Sequence, residues 1–577
     1  MRPLFCRILV ALVLPVSLLW PAAAQQPYQR GYFRSPVDYP ITLAGAFGEI
    51  RRNHFHSGID IRTGGVQGKP VYAIADGYVA RVNISPAGFG KALYIAHPNG
   101  YTSLYAHLRD FKGPVAAWVR EQQYKRESFA IDTALPEGLI RVKKGEVIAY
   151  SGNSGSSAGP HIHFEIRETR SQEIIDPLDF GFMAPDRTAP RITWVKVYPH
   201  GEQSMVNFSD KAVLLPVTGQ GNRFRLKKAD TVKVTGDIIF GIETSDSPEG
   251  SLKTGVHTIE LRVDGNLVFS QDIDRFAFAD TRYVNSLIDY PDFIRSKRKI
   301  QRSYIAPNNR LKIFSGVIDK GVVHFSDAGI HRVEYRVKDV FGNSSTLEFA
   351  VRSHPPAGKG GRPVPASEPG PAFSCVDNNR FEQGGLKLEV PADAVYENFT
   401  FKFRETGKAP GAYAPVYHLH DIYTPLHTWC TLSIRPAGLP KRLETKALIV
   451  AVSDGNKFSA KGGTFSNGWI TTRIRDFGRY SVAVDTVPPV IKAMNISPGK
   501  KITAQSSILV KISDNLSGIK TYRGTLNGRW ILMDYDEKNR LLSYKVDDRT
   551  KPGKNAFVLT VTDACGNSAK YEANLVR

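Results

Sequence analysis

From Thr188 onward the chain is built from short runs in which apolar and polar residues alternate. Thr258-Ile259-Glu260-Leu261-Arg262-Val263, Val333-Glu334-Tyr335-Arg336-Val337 and Leu386-Lys387-Leu388-Glu389-Val390 are examples. A period of two places every second side chain on one face, so each run predicts a strand with one face buried. Asp264-Gly265 and Asn527-Gly528 fall between such runs and predict tight hairpin turns. Long helical patterns are few. The first 185 residues also carry strand-like runs, among them Ser103 to Leu108 and His161 to Arg167, and one stretch, Ala116 to Phe129, that predicts a short helix. The pattern as a whole predicts a mainly β protein ending in a string of β-sandwiches.

Internal repetition sets the boundaries. Asp186-Arg187-Thr188-Ala189-Pro190 and Asp485-Thr486-Val487-Pro488-Pro489 each precede an alternating run. Val337-Lys338-Asp339-Val340-Phe341-Gly342-Asn343-Ser344 matches Val561-Thr562-Asp563-Ala564-Cys565-Gly566-Asn567-Ser568. Residues 186–352 and 486–577 are therefore expected to share one fold, and they resemble immunoglobulin-like modules. The first is longer, with an insertion from Asp272 to Phe314. A proline- and glycine-rich linker is expected at 353–372. Residues 373–485 resemble a ZU5-like β module, through the strand ending in Val390-Pro391 and through Thr431-Leu432-Ser433-Ile434. The remaining unit is 25–185, with an extra segment at Lys112 to Arg141. Insertions of that kind often act as lids or specificity loops at a groove rim.

Composition adds a compartment. Residues 1–24 read as a signal peptide: Arg2 and Arg7, an apolar stretch from Ile8 to Trp20, then Ala22-Ala23-Ala24 before Gln25. The apolar stretch is shorter than the ~20 residues of a membrane-spanning helix. The expectation is an exported chain, periplasmic or extracellular, with no transmembrane segment after cleavage. Three cysteines then remain, of which Cys375 and Cys430 fall in one unit and could pair, leaving Cys565 over and buried. The formal net charge is +21 over 577 residues, spread without a dense run or a nucleic-acid motif, so nucleic acid is not expected as a partner. An anionic cell envelope is the better match.

The candidate chemistry lies in two distant segments, His56-Ser57-Gly58-Ile59-Asp60 and His161-Ile162-His163. Two imidazoles and one carboxylate are a zinc donor set, and three protein ligands leave a tetrahedral zinc one open position, the arrangement of a catalytic metal. On a strand, His161 and His163 share a face, so one can bind metal while the other stands beside it. Before them runs a glycine- and serine-rich loop, Ser151 to Pro160, and Tyr105-Ala106-His107-Leu108 adds a further histidine. His54, His97, His257, His331, His418, His420 and His427 are read as structural or surface residues. The His-Glu-x-x-His helix motif is absent.

These segments, together with Phe47-Gly48, Pro70 to Gly77 and Gly152 to Arg167, resemble the lysostaphin or LytM type of zinc metallopeptidases, peptidase family M23, over roughly residues 30–183. The resemblance implies an antiparallel LytM-type β catalytic domain. It implies that His56, Asp60 and His163 bind Zn2+, that His107 and His161 are catalytic histidines outside the ligand set, and that the substrate is a peptide of peptidoglycan, either a cross-link or a stem peptide. Three alternatives carry different roles: a non-enzymatic regulator or activator of a cell-wall amidase, an adhesion or scaffold protein acting through its β domains, and a peptidase that processes proteins. A cell-envelope protein partner bound through the β domains is a further expectation.

Overall fold

The computed structural model describes residues 28, 30–182, 186–228, 231–247, 254–355, 369–502 and 507–577. The expected signal peptide and residues 356–368 of the expected linker lie outside these. The chain is mainly β, as its alternation predicts. No helix among the described residues is long and apolar enough to cross a membrane.

The N-terminal unit is an antiparallel sheet. Its strands run in the order Leu43–Gly45, Ile59–Arg62, His161–Glu168, Tyr101–Ala106, Lys91–Ala96, Gly77–Ile84 and Ile131–Ala134. A small second sheet, Pro70–Tyr72, Val147–Tyr150 and Asp110–Phe111, packs nearby. The core holds the inward residues of the central strands, including Ile59, Ile61, Tyr105, Ile162, Phe164 and Ile166, with Val71 and Ile148 of the small sheet. The other face of the central strand carries His161, His163, Glu165 and Arg167, so its alternation separates packing from chemistry.

Three further cores follow in sequence: residues between 192 and 351, between 373 and 482, and between 496 and 575. The first is built on two long antiparallel strands, Arg191–Val206 and Val232–Ser245, and its sheets join where Ser344–Ser353 runs parallel to Arg223–Leu226 and to the start of Val232–Ser245. The next unit has two five-stranded sheets, and the last has two four-stranded ones. The two hairpin turns form as expected, with positive φ at Asp264 (50°) and Gly265 (82°), and at Asn527 (50°) and Gly528 (75°). Cys375, Cys430 and Cys565 are all free, so the pairing considered for Cys375 and Cys430 is not formed. Both lie in the same apolar core, where burial pushes the Cys430 thiol up to about 12. Cys565 is only half-buried, not buried as expected.

The two insertions join the units together. Residues 272–314 contain short helical segments, Phe278–Tyr283, Val284–Leu287 and Tyr290–Ser296. Tyr283, Leu287, Tyr290 and Phe293 form one apolar cluster with Phe47, Ile50 and Phe55 of the N-terminal unit. Strand Arg275–Phe276 also pairs with Ile174–Ile175, so the main-chain ladder crosses the boundary.

The segment expected at the groove rim, Lys112 to Arg141, forms the helix Gly113–Arg126. Val115, Val119 and Gln123, spaced four apart, face the N-terminal core. Neighbouring positions face the last sandwich. Arg120 pairs with Asp547 at 2.7 Å, and the Tyr124 hydroxyl donates to Asp547 at 2.8 Å. The Tyr124 ring meets Trp530 edge-on at 5.2 Å, and Arg523 pairs with Glu127 at 2.5 Å. The helix is thus a docking platform for the C-terminal domain.

Tyr124→Ala removes one aromatic contact and one hydrogen bond to a carboxylate, together about 1–3 kcal/mol of docking energy. The expected outcome is faster amide exchange in the Trp530 hairpin and around Asp547, with unchanged protection of the Tyr101–Ala106 and His161–Glu168 strands. Unchanged exchange at Trp530 would show that the platform does not hold the domain.

Candidate active site

Strand register assembles the site. His163 lies directly opposite Asp60 on one side and Ala106 on the other. That places Asp60 beside His163, and His107 just past the end of the neighbouring strand. The chain reaches His56 one tight segment earlier, and Gly58 allows it: a Cβ there would come 2.3 Å from the Phe164 carbonyl oxygen. No side chain fits at that position, which explains the glycine between His56 and Asp60.

Three donor atoms converge. His56 Nε2, His163 Nδ1 and Asp60 Oδ1 lie 3.0 Å from one another along all three edges. All three residues are buried. His56 donates from Nδ1 to the Ala46 carbonyl at 2.8 Å, which leaves its Nε2 lone pair facing the centre. His163 donates from Nε2 to Glu165 Oε1 at 2.9 Å, which turns its Nδ1 inward. Fixing one ring nitrogen as a donor decides what the other can do. Three electron-rich atoms facing each other in a buried site call for a cation. Ligands of a tetrahedral zinc at about 2.0–2.1 Å stand about 3.3 Å apart, so the triangle has the size and donor chemistry for that ion.

The electrostatics agree. Burial disfavours a charged His163, but hydrogen bonds to Asp60 and Glu165 outweigh it and hold its pKa up near 9. Burial alone would raise Asp60, yet the surrounding histidines pull it far below the usual carboxylate range. Burial lowers His56. A proton on His163 Nδ1 and a metal ion at the centre are alternative ways to neutralise one cluster, so metal binding displaces that proton.

Glu165 had no role assigned from sequence. It is fully buried and accepts from His163 Nε2, from Ser57 Oγ at 2.6 Å and from Arg167 Nε at 2.7 Å. Burial would raise its pKa, but Arg167, His163 and Ser57 reverse that and hold it near 2. The signal was present in the alternation, since 163, 165 and 167 share a face. Arg51 was also missed: its Nη2 donates to the second oxygen of Asp60 at 2.7 Å.

The two remaining histidines stand beside the triangle, their rings 4.7 Å apart. His107 has a positive φ of 57°, an uncommon backbone state for this residue. It donates from Nδ1 to the Ser154 carbonyl at 2.9 Å. His161 donates from Nδ1 to the Gly159 carbonyl at 2.8 Å, and its Nε2 is 3.4 Å from Asp60 Oδ1. His107 Nε2 thus points away from the loop, and His161 Nε2 faces Asp60. Burial, then the neighbouring His163 and His161, lower His107 to about 3. The glycine- and serine-rich loop thus orients both rings. It packs against residues 88–90, where a Cβ on Gly155 would come 2.4 Å from Gly88 O and Gly90 N. From the other side, Lys538 of the last sandwich donates to the Asn153 and Ser157 carbonyls of the same loop.

Glu165→Gln keeps the shape of the side chain and removes the charge that fixes His163. The expected outcome is a 10- to 100-fold loss of zinc affinity with the fold retained, read by competition against a chelator of known affinity. Unchanged affinity would mean that Glu165 only packs.

Residues 54–124 and 137–177 match the model of peptidase family M23, and residues 371–485 that of the Zu5-like domain. An uncharacterized metalloprotease of Haemophilus influenzae is 31% identical over 142 residues, covering 24% of this chain and 25% of that protein. The DD-carboxypeptidase/endopeptidase Mpg of Neisseria meningitidis is 32% identical over 133 residues, 23% of this chain and 24% of that protein. The peptidoglycan DD-endopeptidase ShyB of Vibrio cholerae is 30% identical over 145 residues, covering 24% of this chain and 28% of that protein. The chain spans about a quarter of the length of the relatives it matches. The gap between the two matched M23 segments, 125–136, falls in the expected insertion. The chain thus carries an M23 peptidase domain on its N-terminal side and a Zu5-like domain nearer its C-terminus.

Proposed function

We propose that this protein is an exported, zinc-dependent endopeptidase acting on peptide cross-links or stem peptides of peptidoglycan in the periplasm or outside the cell. One observation carries the reading: His56, Asp60 and His163 present three inward-facing donor atoms at 3.0 Å spacing, with His107 and His161 standing beside them. The relatives named for peptidoglycan cleavage support the substrate class, through the domain they share with this chain.

His56, Asp60 and His163 would hold the ion. A bound zinc ion supplies Lewis-acid polarisation of a carbonyl and lowers the pKa of a water molecule. The other residues supply proton handling and orientation. The rings of His107 and His161 stand together beside the triangle, so one can accept a proton as a nucleophile forms while the other donates to the developing oxyanion or the leaving amine. The carbonyls of Ser154 and Gly159 hold their tautomers. Arg51 secures the outer oxygen of Asp60, and Glu165 secures His163. A regulator that only bound a partner would have no use for this donor set, so the enzymatic reading is preferred.

Two variants separate metal binding from proton transfer. His163→Ala is expected to lose both zinc and activity. His107→Ala is expected to keep most of the zinc and lose activity by 10²- to 10⁴-fold. Zinc is measured by elemental analysis, and activity by mass spectrometry of products released from purified sacculi. Equal zinc loss in both variants would make His107 a ligand. An intact, zinc-loaded chain that releases no peptide product would refute the substrate assignment.

A further inference from the structure

Among the described residues, two groups of three carboxylates outside the candidate active site gather in the sandwiches, and they share an asparagine brace. In the first sandwich, Asp186, Asp246 and Asp339 each bring one oxygen within 4.8 Å of the others. In the last, Asp485, Asp514 and Asp563 do the same. Asp339 accepts from the backbone N–H of Phe341 and Asn343, both at 2.9 Å, and from Asn343 Nδ2 at 2.7 Å. Asp563 accepts from Asn567 N at 2.8 Å and Asn567 Nδ2 at 2.7 Å. Each asparagine also donates, at 2.9 Å, to the main-chain oxygen of the first aspartate of its group, Asp186 or Asp485.

Hydrogen bonds satisfy Asp485, Asp339 and Asp563 but leave one oxygen on each of Asp186, Asp246 and Asp514 without a donor. Asp246 is 4% exposed, and its Oδ1 is buried with no hydrogen-bond partner. Asp186 and Asp514 are half-buried; Asp186 Oδ2 and Asp514 Oδ1 are buried and unpartnered, while Asp186 Oδ1 accepts from Thr188 Oγ1 at 3.0 Å and Asp514 Oδ2 from the Leu516 and Gly518 N–H at 2.9 and 2.8 Å. Burial, together with the nearby Asp339 and Asp186 carboxylates, pushes Asp246 up to about 7. A buried carboxylate oxygen facing other carboxylates, with no donor, is costly unless a cation joins them. An arrangement of this kind occurring once would be a curiosity of one loop. Its recurrence, with the same asparagine brace, points to one ligand bound in two places.

We propose that Asp186, Asp246 and Asp339 bind one calcium ion, and that Asp485, Asp514 and Asp563 bind a second. The donors are all hard oxygens. Calcium bonds of 2.3–2.6 Å put ligating oxygens up to about 5 Å apart, which spans the observed spacing. Zinc prefers nitrogen and sulfur donors, as at the first site. Magnesium demands shorter bonds and gives up water reluctantly.

Position gives the ions a purpose. Asp186 stands where the chain enters the first sandwich from the M23 domain. Asp485 directly follows the last strand of the Zu5-like unit, Gly478–Val484. Each ion would tie an entering segment to two loops of its sandwich and stiffen that junction. The second junction positions the domain that carries Lys538.

The test is calcium titration of the full-length, zinc-loaded chain, followed by calorimetry and thermal unfolding. Two calcium ions per chain and a rise in melting temperature of several degrees are expected. Asp246→Asn and Asp514→Asn should each remove one ion, and the double variant both, with zinc content unchanged as evidence of an intact M23 domain. The wild-type chain alone can decide the matter: no saturable calcium binding and no thermal shift would overturn the proposal, leaving proton-sharing carboxyl clusters. Two ions bound by the double variant, or saturable binding of magnesium in place of calcium, would overturn it as well.

Discussion

The structure of the M23 domain depends on holding three like-natured atoms against each other. His56 Nε2, Asp60 Oδ1 and His163 Nδ1 all offer lone pairs, and all face inward at 3.0 Å in a buried site. Left to themselves such groups would turn to water. They are kept in place by the Ala46 carbonyl behind His56, Arg51 behind Asp60, and Glu165 behind His163. Glu165 is itself held by Ser57 and Arg167. The surrounding fold serves this cluster: the central strand lays Ile162, Phe164 and Ile166 into the core, and its other face carries the chemistry.

One loop connects that chemistry to the rest of the chain. Residues 151–160 orient His107 through Ser154 and His161 through Gly159, and the last sandwich grips the same loop through Lys538. The helix Gly113–Arg126 receives that sandwich on Arg120 and Tyr124. On another side, helical segments of the first sandwich seal the hairpin that carries Arg51. The domains downstream are thus packed around the site and are not beads on a string.

The molecule also uses buried carboxylates in two chemically distinct ways. At the candidate site one carboxylate joins two imidazoles, a mixed set suited to a borderline ion. In the sandwiches three carboxylates meet with no histidine among them. Burial raises the cost of charge in both settings, and in each the asymmetry of the partners decides what relieves it: a proton or metal beside His163, and a hard cation among the aspartates.

Much of this was legible in the sequence because it is local. Alternation with period two marked the strands, Asp264-Gly265 and Asn527-Gly528 marked the turns, and the repeated Asp-x-x-Gly-Asn segments marked two places where an asparagine braces an aspartate. The five candidate site residues could be named because His-x-Gly-x-Asp, Tyr-x-His and His-x-His are short patterns that the family resemblance picks out, and the structure brings all five together. Partnership across distance was not legible. Glu165 sat in plain view, but its tie to Ser57 exists only once two strands pair in register. The helix at 113–126 could be anticipated from its neighbourhood, yet nothing in its own residues says that Tyr124 meets Trp530 and not solvent. Cys375 and Cys430 share a core without bonding, which spacing cannot reveal. The sequence by itself determined which side chains face inward and which residues are candidates for the chemistry, since the first follows from backbone period and the second from side-chain type in short motifs. Only tertiary structure decided how strands register, how domains dock and which buried charges meet, because those depend on atoms brought together from far apart along the chain.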